Sequence, residues 1–150
     1  MSIIKYSFRD KSWSRELHSL NQHRGSHGAV VINEKIYAIG GGGMDSNLAS
    51  IEVLDRSDPH TGWKVLSPMQ FSRHAHAVIV ASLVLGSEVR HFIYAVGGTT
   101  SGTTGLNDST WTAPVDASSN CVDFVERYDV LEDRWHLCAP MRNPRRLHGK

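Results

Sequence analysis

The hexamer Ile36-Tyr37-Ala38-Ile39-Gly40-Gly41 returns at positions 93–98 as Ile93-Tyr94-Ala95-Val96-Gly97-Gly98, with a single conservative change. An apolar, strand-like segment closed twice by the same pair of glycines means that the chain encodes one supersecondary unit more than once. This repeat constrains the fold more tightly than composition does. A unit too small to bury its own apolar faces has to stack on its copies.

The echo runs well beyond the hexamer. Upstream, Arg24 precedes Gly25-Ser26-His27-Gly28, Arg73 precedes His74-Ala75-His76-Ala77, and Arg145 precedes Arg146-Leu147-His148-Gly149. In all three a histidine follows the arginine by three positions and a tiny residue follows it by four. Downstream, IEVLD (51–55) answers VERYD (125–129), and WKVLSPM (63–69) answers WHLCAPM (135–141). Segment 4–17 repeats the second half of the unit, with a strand-like Ile4–Phe8, a polar turn and Trp13. Arg24 and Arg73 stand 49 residues apart, Arg73 and Arg145 stand 72 apart, and the second unit therefore carries 23 extra residues. Eight of the additions fall between His76 and Tyr94 and seventeen between Gly98 and Glu126, with the following turn shorter by two. Both insertions are expected in connections, where surface loops absorb length at little entropic cost.

Each unit predicts four short strands: about 27–33, 35–40, 50–55 and 62–67 in the first, and about 75–82, 90–97, 122–129 and 134–138 in the second. They are rich in β-branched and aromatic residues and separated by polar or glycine-rich turns, with no sustained helical period. Asn33-Glu34 predicts a tight hairpin, and 58–62 carries turn chemistry. The expected organisation is 1–23 as the outer strands of a partial unit, 24–72 as one unit, 73–144 as a second with a long connection at 99–120, and 145–150 as the start of another.

A four-stranded repeat of about 50 residues with paired glycines after its second strand resembles the Kelch repeat. The residues that carry the resemblance are Gly40, Gly41, Gly97 and Gly98, the preceding Tyr37 and Tyr94, and the downstream Trp13, Trp63 and Trp135. It implies an all-β fold, a Kelch-type β-propeller fragment built of four-stranded antiparallel blades. The glycines are expected where a side chain would strike neighbouring backbone and where positive φ is needed, and the tryptophans between blades. Propellers close with roughly 4–8 blades, so two blades are expected to be a piece of a longer ring or to need another chain.

Composition narrows the function. The chain has 40% hydrophobic and 21% charged residues and a formal net charge of +1, which offers nothing to nucleic acid or to an acidic membrane surface. The longest apolar run, 77–86, is too short to span a bilayer, and charged residues interrupt the first thirteen positions where a signal peptide would need an apolar core. Cys121 and Cys138 are too few for a disulfide framework and predict free thiols in a reducing compartment, the cytoplasm, with the nucleus as the alternative. The glycine run 40–43 lacks the lysine and helix of a phosphate loop. His27, His76 and His148 occupy equivalent positions, which predicts packing rather than convergence on a metal, and no catalytic constellation or cofactor is expected.

Two features remain as binding candidates. Arg24, Arg73 and Arg145 each open a unit at the rim of the channel. They are read either as ion-paired groups that help pack the blade or as guanidiniums facing an acidic, carboxylate-bearing peptide. The resemblance to Kelch substrate receptors implies the second. Trp111, an aromatic within a polar Gly/Ser/Thr-rich loop, is either an anchor for that loop or a contact for a partner. The family implies a non-catalytic protein–protein interaction module, with substrate recognition for a cullin–RING ubiquitin ligase through a BTB or F-box domain outside this chain. The alternatives are an actin-associated scaffold and a propeller enzyme of the galactose-oxidase type, which would need a copper site.

Overall fold

The structure, a computed structural model, describes residues 4–15, 18–58, 60–100 and 120–147. Every regular element among them is a β-strand. β1 (Ile4–Ser7) and β2 (Ser12–Arg15) form a hairpin. β3 (Gly28–Ile32), β4 (Lys35–Ile39), β5 (Ile51–Asp55) and β6 (Lys64–Leu66) form one antiparallel sheet in sequence order. β7 (Ala77–Leu85), β8 (Glu88–Val96), β9 (Val125–Asp129) and β10 (Arg134–Leu137) form a second sheet of the same topology. These two sheets are the four-stranded blades that the repeat predicts.

Side chains alternate across a strand, so a blade covered on both faces reads as a continuous apolar run. In β4, Tyr37 and Ile39 point to one face and Ala38 to the other, and all three are buried. The first face, with Ile51, packs against Ile93, Ala95, Tyr128 and Trp135 of the second blade, forming the main core. The second face, with Leu54 and Trp63, closes over Leu20. The Trp135 indole adds a directional tie across the blades, its Nε1–H donating to the Ser67 carbonyl at 2.9 Å. The two inner strands touch: a Cβ built on Gly28 of β3 would lie 2.4 Å from the Val78 side chain of β7.

The repeat is visible down to single dihedrals. The residue two after each unit-opening arginine has positive φ: 51° at Ser26, 53° at Ala75 and 52° at Leu147. The backbone of each entry segment seats on the preceding blade in the same way. The Gly41 N–H donates to the Arg73 carbonyl and the Gly98 N–H to the Arg145 carbonyl, both at 2.8 Å. Ala75 donates to Ser26 and Leu147 to Ala75, both at 2.9 Å. The third arginine thus opens a third copy of the same docking geometry.

Two sequence-based expectations change. The eight-residue insertion is not a loop. β3 and β4 each have 5 residues whereas β7 and β8 each have 9, so the addition lengthens both strands of one hairpin, which turns at Gly86 (φ 64°). The added residues include Leu83, Val84, Leu85 and Val89 and continue the ladder register, so pairing satisfies more backbone groups than looping would. Trp13, expected to pack between blades, is 68% exposed, its ring lying 5.0 Å from Tyr6 in the β1–β2 hairpin. Residues 101–119, with Trp111, and His148 lie outside the described residues.

The double glycines do what the sequence implies. Gly41 (φ 106°) and Gly98 (φ 102°) sit in a region that favours glycine, and a Cβ on Gly98 would lie 2.7 Å from the His74 carbonyl oxygen. Gly98→Ala is therefore expected to destabilise the chain by about 2–3 kcal/mol in urea unfolding. Gly86→Ala, at a φ of 64° with nothing within 4 Å, should cost about 1–2 kcal/mol. Equal costs at the two sites would show that the backbone contact at Gly98 carries no penalty.

Candidate functional site

The end of the blades where β4 runs to β5 and β6 to β7 gathers the unit-opening arginines. Arg24 and Arg73 are there, but neither faces solvent. Arg24 is 2% exposed, and its guanidinium meets Glu52 at 2.7 Å while also donating to the carbonyls of Gly40 (2.7 Å) and Ser50 (2.9 Å). Arg73, fully buried, pairs with Glu126 and donates to the carbonyls of Gly97 (3.2 Å) and Phe124 (3.1 Å). Each glutamate is saturated from its other side. Glu52 accepts from the N–H groups of Asn21 and Gln22, and Glu126 from that of Gln70.

The same clasp is therefore built twice: arginine from the unit's entry, glutamate from its third strand, carbonyl from its first glycine, and N–H from the incoming connection. Side-chain exposure is 0% for all four charged partners. This removes Arg24 and Arg73 from the expected ligand-facing rim, because withdrawing either guanidinium would strand a buried carboxylate. Arg145 opens the third copy of this entry, its backbone docked on Gly98 and the third strand of its unit not among the described residues; Arg142 and Arg146 beside it are exposed.

Glu52 and Glu126 carry half of the clasp, and the sequence reading assigned them no role. Their signal was present, since each is the second residue of the matched pentamers IEVLD and VERYD. The separations from their arginines, 28 and 53 residues, differ because of the insertions, and this hides the pairing.

Around the clasps the loops of the two blades are tied together. Asn47, on the β4–β5 loop, donates through Nδ2 to the Thr99 carbonyl (3.2 Å) and meets the His74 ring through Oδ1 (2.9 Å). His74 and Thr99 exchange backbone hydrogen bonds, and Thr99 pairs with Cys121, so both ends of the long 99–120 connection are pinned. His27 lies half-buried behind Arg24, and burial together with that positive charge holds its imidazole below the ordinary histidine range. His76 is buried against Gly28 and Gly40. Both cysteines are free, and no group of three or more His, Cys, Asp or Glu side chains among the described residues is arranged to hold a metal ion.

Residues 23–70, the first blade with its entry and exit, match the model of the Kelch motif. Over these residues the chain carries a Kelch motif. It is 28% identical over 149 residues to human Kelch repeat and BTB domain-containing protein 12, an alignment covering 95% of this chain and 21% of that protein. It is also 28% identical over 117 residues to Kelch-like protein 25 of the rat and of the mouse, covering 77% of this chain and 17% of those proteins. The chain spans about a fifth of the length of these curated relatives.

Two measurements check the site. Arg73→Met is expected to cost about 3–5 kcal/mol in urea unfolding, because Glu126 is left buried and unpaired. The double variant Arg73→Met/Glu126→Leu should cost clearly less than the two single changes added together, whereas strict additivity would mean that the two side chains are not coupled. For pH, the depressed pKa of His27 means that the unfolded chain takes up its proton first as pH falls past 6.5. Stability supplied by neutral His27 is thus present above pH 6.5 and lost as pH drops toward the lower folded value. Thermal unfolding followed between pH 7.5 and 5.5 should show that loss, and His27→Gln should flatten the curve.

Proposed function

We propose that this chain is a non-catalytic protein-recognition module, and that the protein to which it belongs presents substrates to a cullin–RING ubiquitin ligase. The observation that carries the recognition reading is the Asn47–His74–Thr99 tie, which makes a preorganised platform of loops from both blades. On this end lie the exposed Arg142 and Arg146, which favour an acidic or carboxylate-bearing segment as the ligand, and the 85% exposed Met44, an adaptable apolar contact. The ligase role is supported by the relative whose name joins a Kelch repeat to a BTB domain.

The test is a pull-down with the wild-type chain and with Arg142→Ala/Arg146→Ala. Partner recovery should fall several-fold, with the thermal unfolding midpoint unchanged because both residues are exposed. Unchanged recovery would sink the arginine reading of the platform. The ligase reading is tested separately, by asking whether the full-length protein co-purifies with a cullin. Failure there would leave a recognition module acting in some other assembly.

A further inference from the structure

The opposite end of the blades, where β3 turns into β4, β5 into β6 and β9 into β10, holds a cleft of about 390 Å3 between the two sheets. That volume falls within the range of small binding sites. Its inner wall is apolar, with Ile32, Val53 and Leu66 from the first blade and Val130 from the second. Tyr37 decides its chemistry. The residue is 3% exposed and lines the cleft. Burial and the nearby Asp55 carboxylate hold the phenol in its neutral form, so its hydroxyl can both donate and accept.

Around this hydroxyl the cleft carries one more carboxylate than ammonium: Asp55, Asp58 and Asp133 against Lys35 and Lys64. Lys35 is engaged with Asp55 at 3.4 Å. Asp133 accepts from the Ser67 N–H at 3.0 Å and from the Tyr128 hydroxyl at 2.5 Å. The lengthened β7–β8 hairpin stands beside the cleft. Its His91 lines the cavity and reaches Asn33 at 3.1 Å. On the same hairpin face, one ladder step further out, the cross-strand pair Val84 and Val89 is 68% and 51% exposed.

We propose that this cleft is a second docking site, which takes a lysine or arginine side chain of an extended peptide while a neighbouring apolar residue of that peptide lies on Val84 and Val89. A basic side chain matches the cavity in both its parts. Its methylene stem lies along Ile32, Val53 and Leu66, and its head donates to the carboxylates and to the Tyr37 hydroxyl. An acidic side chain would face three carboxylates instead. The exposed valine pair argues for a peptide rather than a free cation, because it supplies apolar surface only where a chain leaving the cleft would pass. The site faces away from the arginine platform, and the platform has no share in it.

The probe is a fluorescein-labelled hexapeptide of alternating lysine and valine, compared by fluorescence polarisation on the full chain with its glutamate–valine counterpart. The lysine peptide is expected to bind at least about tenfold more tightly. Tyr37→Phe, which keeps the ring and its packing, and Val84→Ser/Val89→Ser, which changes only exposed side chains, should each weaken it about threefold or more. Thermal midpoints measured alongside identify any variant that fails to fold. Arg142→Ala/Arg146→Ala should leave this binding unchanged, which separates it from the platform. Equal or tighter binding of the glutamate peptide overturns the proposal. So does wild-type affinity in either folded cleft variant, because a polycation adhering elsewhere would produce that result.

Discussion

The buried arginine–glutamate clasp holds each blade to its own entrance. A guanidinium and a carboxylate taken out of water are stable only if nearly every donor and acceptor is matched. In the first clasp Arg24 serves Glu52 and two carbonyls, and Glu52 receives two backbone N–H groups. In the second, the Nε of Arg73 is the one guanidinium group without a partner among the described residues. Such a pair specifies geometry more than it adds net stability, since shifting any of the four segments would leave a charge unpaired. The connection, the first strand, the double glycine and the third strand are thereby placed in one arrangement. The interblade core of Tyr37, Ile39, Ile51, Ile93, Tyr128 and Trp135 then closes on a frame whose register is already set.

Because the clasp sits at one end of the blade, length can be added elsewhere without disturbing it. One insertion extends the β7–β8 hairpin at the opposite end. The other lies between two pinned points, Thr99 and Cys121, and leaves the adjoining strands in their repeat-equivalent positions. The two ends of the blades have consequently become different surfaces. One is a polar platform of interlocked loops with exposed arginines. The other is a cleft with an excess of carboxylate, flanked by a projecting apolar hairpin.

Much of the fold was legible from short stretches. The IYAIGG/IYAVGG pair located β4 and β8 and the two positive-φ turns, and Asn33-Glu34 marked a hairpin in which both residues have positive φ (46° and 61°). Those features depend on local chemistry and on repetition, and both are written along the chain. The site was less legible. Arg24 and Arg73 could be picked out, but whether a guanidinium faces a ligand or a buried glutamate depends on what lies across the sheet. Glu52 and Glu126 were overlooked as partners for that reason. The mixed insertion at 82–89 was compatible with either a loop or a longer ladder, and only strand pairing distinguishes the two.

The amino-acid order alone determined that a four-stranded unit recurs, where its strands and glycine turns fall, and which residue types mark each copy, since periodicity, β-propensity and backbone freedom are properties of neighbouring residues. Tertiary structure decided that Arg24 and Arg73 are consumed internally, that Trp63 and Trp135 are covered while Trp13 is not, and that Tyr37 lines a cleft. Burial, ion pairing and cavity shape arise between segments tens of residues apart. Their outcome is set by the packing of one blade on the next.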